Sequence, residues 1–210
     1  MYLPNRSFSP VLTALLAGLL ILLSGVSSSA APKGPEIGQP APDFELKDTE
    51  GNAVRLSSFK GKTVVLEWFN PDCPFVVYAH GEKGPLSKQP QAATASGVVW
   101  LAINSGAAGK QGAGLERNIA ARKEYAMNYP VLLDPSGEVG RSYGAITTPH
   151  MFVVDAQGKL AYAGGLDGAP MGRGNSTNFV AEALTSLSAG EAPKRPRSKA
   201  YGCSVKYGRK

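Results

Sequence analysis

The 210-residue chain predicts an α/β fold, with a mixed central β-sheet, helices on both faces and a β-hairpin at the N-terminal edge. Three observations carry this. "TVVLEWF" (63–69) is an almost unbroken run of β-formers, the pattern of a central strand buried on both faces. Amphipathic segments alternate with such runs, and strands alternating with helices imply a mixed sheet covered on two sides. Two apolar strands flank the polar turn "DAQGK", the clearest hairpin in the chain.

The first 31 residues stand apart. Arg6 precedes an apolar run from Val11 to Leu23, and small residues, "SGVSSSAA", lead to Pro32. This reads as a secretory signal peptide cut after Ala30 or Ala31. The run is short of the roughly 20 residues a membrane span needs, so an uncleaved anchor is the weaker alternative. The expected organisation is a signal peptide (1–31), one folded domain (32–190) and a basic C-terminal tail (191–210).

Within the domain, proline-rich 32–42 excludes regular structure. "DFELKDTEGNAVRLSSF" alternates around Glu50-Gly51-Asn52 as a hairpin, and Ser57 can cap a short helical turn. After the central strand, Asn70-Pro71 breaks the chain and "PFVVYAH" can form one or two helical turns. Leu86–Ala95 reads as a weaker helix, with Pro90 against a regular one. "GVVWLAIN" (97–104) is a second buried strand, 105–114 a Gly-rich loop and 115–127 an amphipathic helix. "YPVLLD" is a third strand, and "PSGEVGRSYG" a turn with a short helix. After the closing hairpin, 175–190 begins with capping residues and ends at Gly190, as a terminal helix does. The tail beyond lacks periodicity and reads as extended.

The net charge of +6 is a property of that tail. Lys194–Lys210 holds seven basic residues and no acidic one, whereas 32–193 holds 14 basic and 16 acidic. The body is therefore near −2 and offers no basic face for nucleic acid. "KRPRSK" suits a solvated tail, or weak contact with an anionic membrane surface or an acidic partner.

The two cysteines, Cys73 and Cys203, both lie beyond the signal segment. In an oxidising compartment they can form a lasting bridge. Cys73 sits where a strand ends and a helix begins. There, free N–H groups and the helix dipole favour a thiolate, Pro74 suits the first helical position, and the Asp72 charge opposes ionisation. Glu67, within the apolar strand, needs a partner or a proton. His80 and His150 are each either packing residues or partners for a thiolate. Trp68, Phe69, Phe75 and Tyr78 are core aromatics, some of which could face a partner peptide.

With these residues the element order resembles the thioredoxin fold, and within it the redoxins, the alkyl hydroperoxide reductase/thiol-specific antioxidant (AhpC/TSA) superfamily. The resemblance covers Gly38 to Ala189 and rests on "GQPAPDFELKDTEGNAVRLSSFKGKTVVLEWF", "NPDCPF" and "TTPHMFVVDAQGKLAYAGG". It implies a reactive Cys73, a cis peptide at Thr148–Pro149 whose backbone docks a substrate chain, and a proton-handling role for Glu67. The departures are equally clear. Val76 stands where C-x-x-C has its second cysteine, and Val77 where C-x-x-x-C copper carriers have theirs. Asn70 and Leu66 replace the threonine and proline of the peroxiredoxin signature. "NPDCPF" with "GCSVKY" is similar to a subset of exported redoxin-like proteins.

The expectation is an exported, periplasmic thiol-disulfide oxidoreductase acting through Cys73 on a protein thiol or disulfide. Cys203 is the candidate resolving thiol, electrons come from a partner thiol protein, and no bound cofactor or metal is implied. Two alternatives stay open: an atypical thiol peroxidase, and a non-catalytic binding module in which Cys73 and Cys203 form a fixed staple.

Overall fold

A computed structural model of the chain describes residues 1–3 and 34–209. Residues 4–31 of the expected signal peptide (1–31) lie outside the described residues. In chain order the elements are β1 (Glu45–Asp48), β2 (Ala53–Arg55), β3 (Val64–Trp68), α1 (Pro74–His80), α2 (Gln89–Ala95), β4 (Val99–Asn104) and α3 (Leu115–Glu124). β5 (Val131–Leu133), α4 (Glu138–Tyr143), β6 (Thr147–Thr148), β7 (His150–Val154), β8 (Leu160–Gly164), α5 (Phe179–Ser188) and β9 (Cys203–Ser204) follow.

Seven strands form one sheet in the order β2-β1-β5-β4-β3-β7-β8. β3, β4 and β5 run parallel, while β1, β2, β7 and β8 are joined by antiparallel pairing. This is the predicted mixed sheet. The N-terminal hairpin is closed by Asp48, whose carboxylate accepts from the N–H groups of Glu50 (2.8 Å) and Asn52 (2.9 Å). Asn178 caps α5 by accepting from Ala181 N–H at 2.8 Å, and removing such a cap costs about 1 kcal/mol. Pro90 does not break α2, because it lies in the first turn, where no intrahelical N–H is required. Ser57 lies inside a short 3₁₀ turn, Leu56–Phe59, and its hydroxyl donates to Asp43 rather than capping the turn.

β3 explains the two-layer core. Its side chains alternate between faces. Val65 and Phe69 join one cluster with Val76 and Ala79 of α1, Ala93 of α2, Ala121 of α3 and Val180 of α5. Val64, Leu66 and Trp68 join the other with Phe44, Leu56 and Tyr143 of α4. Parity therefore sends Glu67 to the α1 face. On the opposite face, Trp68 donates its Nε1–H to Ser105 Oγ at 3.0 Å, and Ser105 donates to Asp134 at 2.6 Å. The buried indole thus keeps a polar partner.

The tail departs from the solvated segment that its charges predict. Ala163 N–H donates to Pro196 O (3.1 Å), and Ser198 Oγ receives Gly165 N–H (2.9 Å) and contacts Tyr162 OH (2.6 Å). The chain then pairs as β9 with β6, antiparallel, Thr148 opposite Cys203. Beyond this, Lys206 O accepts from Ala107 N–H, and Tyr207 OH donates to Ala145 O at 2.8 Å. Lys194, Arg195, Arg197 and Lys199 remain exposed. The strap docks through its backbone, a serine and tyrosines, and two of its exposed cations add contacts, Arg197 donating to Pro35 O at 2.9 Å and Arg195 lying over the Phe179 ring at 4.9 Å.

Candidate active site

Cys73 is the N-cap of α1, with extended backbone, and Pro74 takes the first helical position. Its N–H donates to Asn70 O (3.1 Å), and its carbonyl accepts from Val76 and Val77 N–H, each at 2.9 Å. The side chain is fully buried. As a thiol it donates to Thr148 O at 3.0 Å, the carbonyl just before Pro149. The Thr148–Pro149 peptide is cis, as the motif implied. That turn sets the Thr148 carbonyl against the sulfur, while the Thr148 hydroxyl is buried without a hydrogen-bond partner.

Cys203 reaches the same place along the strap. Both cysteines are free thiols, and they converge on Thr148, which is the strand partner of Cys203 and whose carbonyl accepts from the Cys73 thiol. Burial pushes the Cys73 thiol up. The polar groups of Cys203, Thr148 and Val76 around the sulfur outweigh burial, so Cys73 lies below the ordinary thiol range. Cys203 moves the other way. Burial comes first and the Cys73 partner second, and its pKa rises to about 11. The pair therefore ionises at Cys73, with Cys203 as the proton-bearing donor.

The loop that presents Cys73 is fixed from two sides. Asn70 Oδ1 accepts from Asp72 N–H (2.9 Å), and its Nδ2 donates to Gln111 O (3.2 Å). At Gly112, φ is +73° and a Cβ would meet Asn70 Oδ1 at 1.9 Å, so only glycine lets the 105–114 loop close on Asn70. Arg117 Nε sits 2.7 Å from Asp72 Oδ1. This offsets the carboxylate that, on sequence grounds, opposes a Cys73 thiolate. Asn70 spends both ends of its amide on this loop, so the position holding the hydroxyl of peroxiredoxins has become a structural clamp.

Glu67 is fully buried. Its Oε1 lies 2.7 Å from His80 Nε2, and its Oε2 accepts from Trp100 Nε1 (3.1 Å) and Tyr129 OH (3.4 Å). His80 stacks on Tyr125 at 5.0 Å between centroids, and Tyr125 OH donates to Pro71 O at 2.8 Å. The acid is thus tied to the Cys73 loop through aromatic packing. His80, Trp100 and Tyr129 are partners that reading the sequence for Glu67 missed, as was Tyr125, which stacks on His80. The available signal was parity: a buried acid on the α1 face needs a donor from α1 or the neighbouring strands. Burial and the nearby Arg197 charge lower the pKa of His150 to about 4. Its Nδ1 accepts from Ile146 N–H (3.3 Å), and its ring packs on Phe152 at 4.4 Å. It is a neutral packing residue near pH 7.

The sheet order, the cis proline and a cysteine at the start of α1 define a thioredoxin-fold protein. The structure superposes on one from Chlorobium tepidum assigned to thiol:disulfide interchange protein DsbE, with TM-score 0.52 and 27% identity, covering 62% of this chain and 85% of that one. A hypothetical protein of Sinorhizobium meliloti gives TM-score 0.75 and 29% identity, covering 84% and 97%. Residues 37–163 match the AhpC/TSA family, and the chain belongs to it. Among curated relatives, thiol-disulfide oxidoreductase ResA of Bacillus cereus is 31% identical over 156 residues, 68% of this chain and 81% of ResA. The ResA of Bacillus subtilis is 30% identical over 154 residues, 70% of this chain and 79% of ResA.

Proposed function

We propose that this chain is an exported thiol-disulfide oxidoreductase in which Cys73 exchanges with a protein partner and Cys203 resolves the intermediate in cis. The observation that carries the reading is the convergence of two free thiols on Thr148, which accepts from Cys73 and pairs with Cys203; Cys73 is favoured as thiolate and the Cys203 pKa is raised. The Cys73 thiolate attacks one sulfur of a partner disulfide. That S–S bond breaks, a mixed disulfide forms, and the other partner sulfur leaves as a thiolate and takes a proton from water. Cys203 then loses its proton and attacks Cys73, which releases the partner's second thiol and forms a Cys73–Cys203 disulfide. Two electrons have passed to the partner, and a dithiol protein restores the pair. Run in reverse, the same steps oxidise a partner dithiol.

Val76 is fully buried one turn from Cys73, and the distant cysteine on the strap replaces the thiol of a C-x-x-C motif. Pro149 sets the Thr148 carbonyl and the β6 edge against the sulfur. Glu67, with no second thiol on α1 to serve, acts as a positioning residue that ties α1 to the sheet through His80. The apolar segment after Arg6 and the use of a cysteine pair both suit an oxidising compartment, the periplasm in a Gram-negative host.

Trapping tests the reading. Cys203→Ser, expressed in the native host, should retain a partner disulfide-linked to Cys73, and Cys73→Ser should retain none. Equal retention by both variants, or by neither, contradicts it.

A further inference from the structure

β6 is not part of the seven-stranded sheet, and its partner is the chain's own tail. The pairing has the form of strand addition to an open edge. Thr147 faces Ser204, Thr148 faces Cys203, and Val205 N–H donates to Ile146 O at 3.1 Å. Such bonds involve main-chain groups, so any extended polypeptide can make them, and its side chains then set the selectivity.

The strap's side chains are seated in specific places. The Tyr201 ring lies 6.0 Å from Phe75, and its hydroxyl donates to the buried Asp167 at 2.6 Å. Gly202 has φ +122°, and a Cβ there would stand 2.1 Å from Thr148 O. Cys203 meets Cys73, Ser204 points to solvent, and Val205 packs on the cluster around Trp68. Exposed apolar residues surround the place. Val77 lies on α1, Ile146 precedes β6, and Met171 belongs to a 3₁₀ turn that contacts α1. Cys73 itself has no exposed surface with the strap docked.

Beside the cis proline the fold implies docking of a substrate chain; we propose that Tyr201–Val205 is a built-in mimic of the extended, cysteine-bearing partner segment that docks there, and that it competes with that segment for the β6 edge. The inference rests on the reading of Cys73 as nucleophile and names the partner's chemistry: an aromatic residue two before the cysteine, glycine directly before it, and a β-branched aliphatic two after. Strap and partner then compete for one strip. A partner enters by displacing the strap and forms its mixed disulfide with Cys73. Returning to the edge, the strap delivers Cys203 to Cys73 in the register the partner vacates. Cys203 breaks the mixed disulfide, and the partner leaves with its thiol.

The test uses the full-length chain as Cys203→Ser, alone and combined with Gly202→Ala, which the Thr148 contact should unseat. The probes are pyridyl-disulfide derivatives of two peptides of one composition, Lys-Ala-Tyr-Gly-Cys-Ser-Val-Lys and a version scrambled around the cysteine. Thiopyridone release reports mixed-disulfide formation at Cys73. The ordered peptide should react about tenfold faster than the scrambled one, a difference of about 1.4 kcal/mol. Both peptides should react faster with the double variant than with Cys203→Ser alone. Equal rates for the two peptides overturn the template, and equal rates for the two proteins overturn the competition. If dipyridyl disulfide reacts and neither peptide does, the docking strip fails while Cys73 stands as nucleophile. If no disulfide reacts, Cys73 as nucleophile fails and the proposal falls with it. Circular dichroism checks folding, and Cys203→Ser carries the peptide comparison if the double variant does not fold.

Discussion

Acidification should cost the protein about 3 kcal/mol of stability through one residue, His150. The ring is 8% exposed, and its Nδ1 accepts the Ile146 N–H, which leaves the proton on Nε2. Burial first, and the Arg197 charge second, lower its pKa from 6.5 to about 4. As pH falls, the unfolded chain takes up a proton near 6.5, while the folded chain refuses it until about 4. Across that window the unfolded state binds more protons, so stability falls with pH. At about 1.4 kcal/mol per pKa unit the gap amounts to roughly 3 kcal/mol, a large part of the roughly 5–15 kcal/mol that holds a domain folded. Urea unfolding followed by tryptophan fluorescence, from about pH 7.5 to about pH 4, measures the loss. His150→Asn serves as the reference, because its Oδ1 can keep the Ile146 bond and the difference between the two curves cancels other titrating groups. That difference should grow steadily below about pH 6.5. A flat difference, or an NMR titration of His150 at or above the ordinary histidine value, refutes the reasoning and reopens the alternative of a thiolate partner.

Cys203→Ala removes the donor that favours the Cys73 thiolate. A hydrogen bond to a charged group is worth about 1.5–3 kcal/mol, so the ionisation midpoint of Cys73, read from thiolate ultraviolet absorbance, should move up, and an unmoved midpoint contradicts the pairing. Glu67→Leu leaves His80, Trp100 and Tyr129 without their acceptor and should destabilise the fold by about 3–5 kcal/mol in urea unfolding. Glu67→Leu combined with His80→Leu should recover much of that loss, and strict additivity of the two single changes would show that they are not a pair. Arg117→Met strips Asp72 of its counter-charge, so alkylation of Cys73 at neutral pH should slow, and more at low salt than at high salt.

The fold was legible because its longest signals were simple. The almost unbroken run of β-formers at 63–69 announced a strand buried on both faces, and the segment from Pro74 onward announced a helix opening at Cys73. The cysteine, the Thr148–Pro149 turn and the acid at Glu67 all lie in local patterns. What stayed hidden depended on pairings distant in sequence. Glu67 and His80 are 13 residues apart on a strand and the last turn of a helix, and nothing local marks them as partners. His80 read as a lone histidine because its acceptor is one element away. The strap was masked by its own composition. Prolines and exposed cations between Ala192 and Lys199 suggest a solvated segment, while backbone amides, Ser198, Tyr201 and Tyr207 dock it, with Arg195 and Arg197 adding contacts at the surface. Pro90 misled in the opposite sense, since proline breaks a helix interior and suits its first turn.

The central claim is that Cys73 and Cys203 form an exchanging pair rather than a fixed staple. Equilibrating the full-length protein in glutathione or dithiothreitol redox buffers, then quantifying the Cys73–Cys203 disulfide by mass spectrometry, gives its reduction potential. An exchanging pair with a favoured Cys73 thiolate should have a potential above about −300 mV. A potential below about −300 mV, where structural disulfides lie, would contradict the account and make the strap a permanent staple.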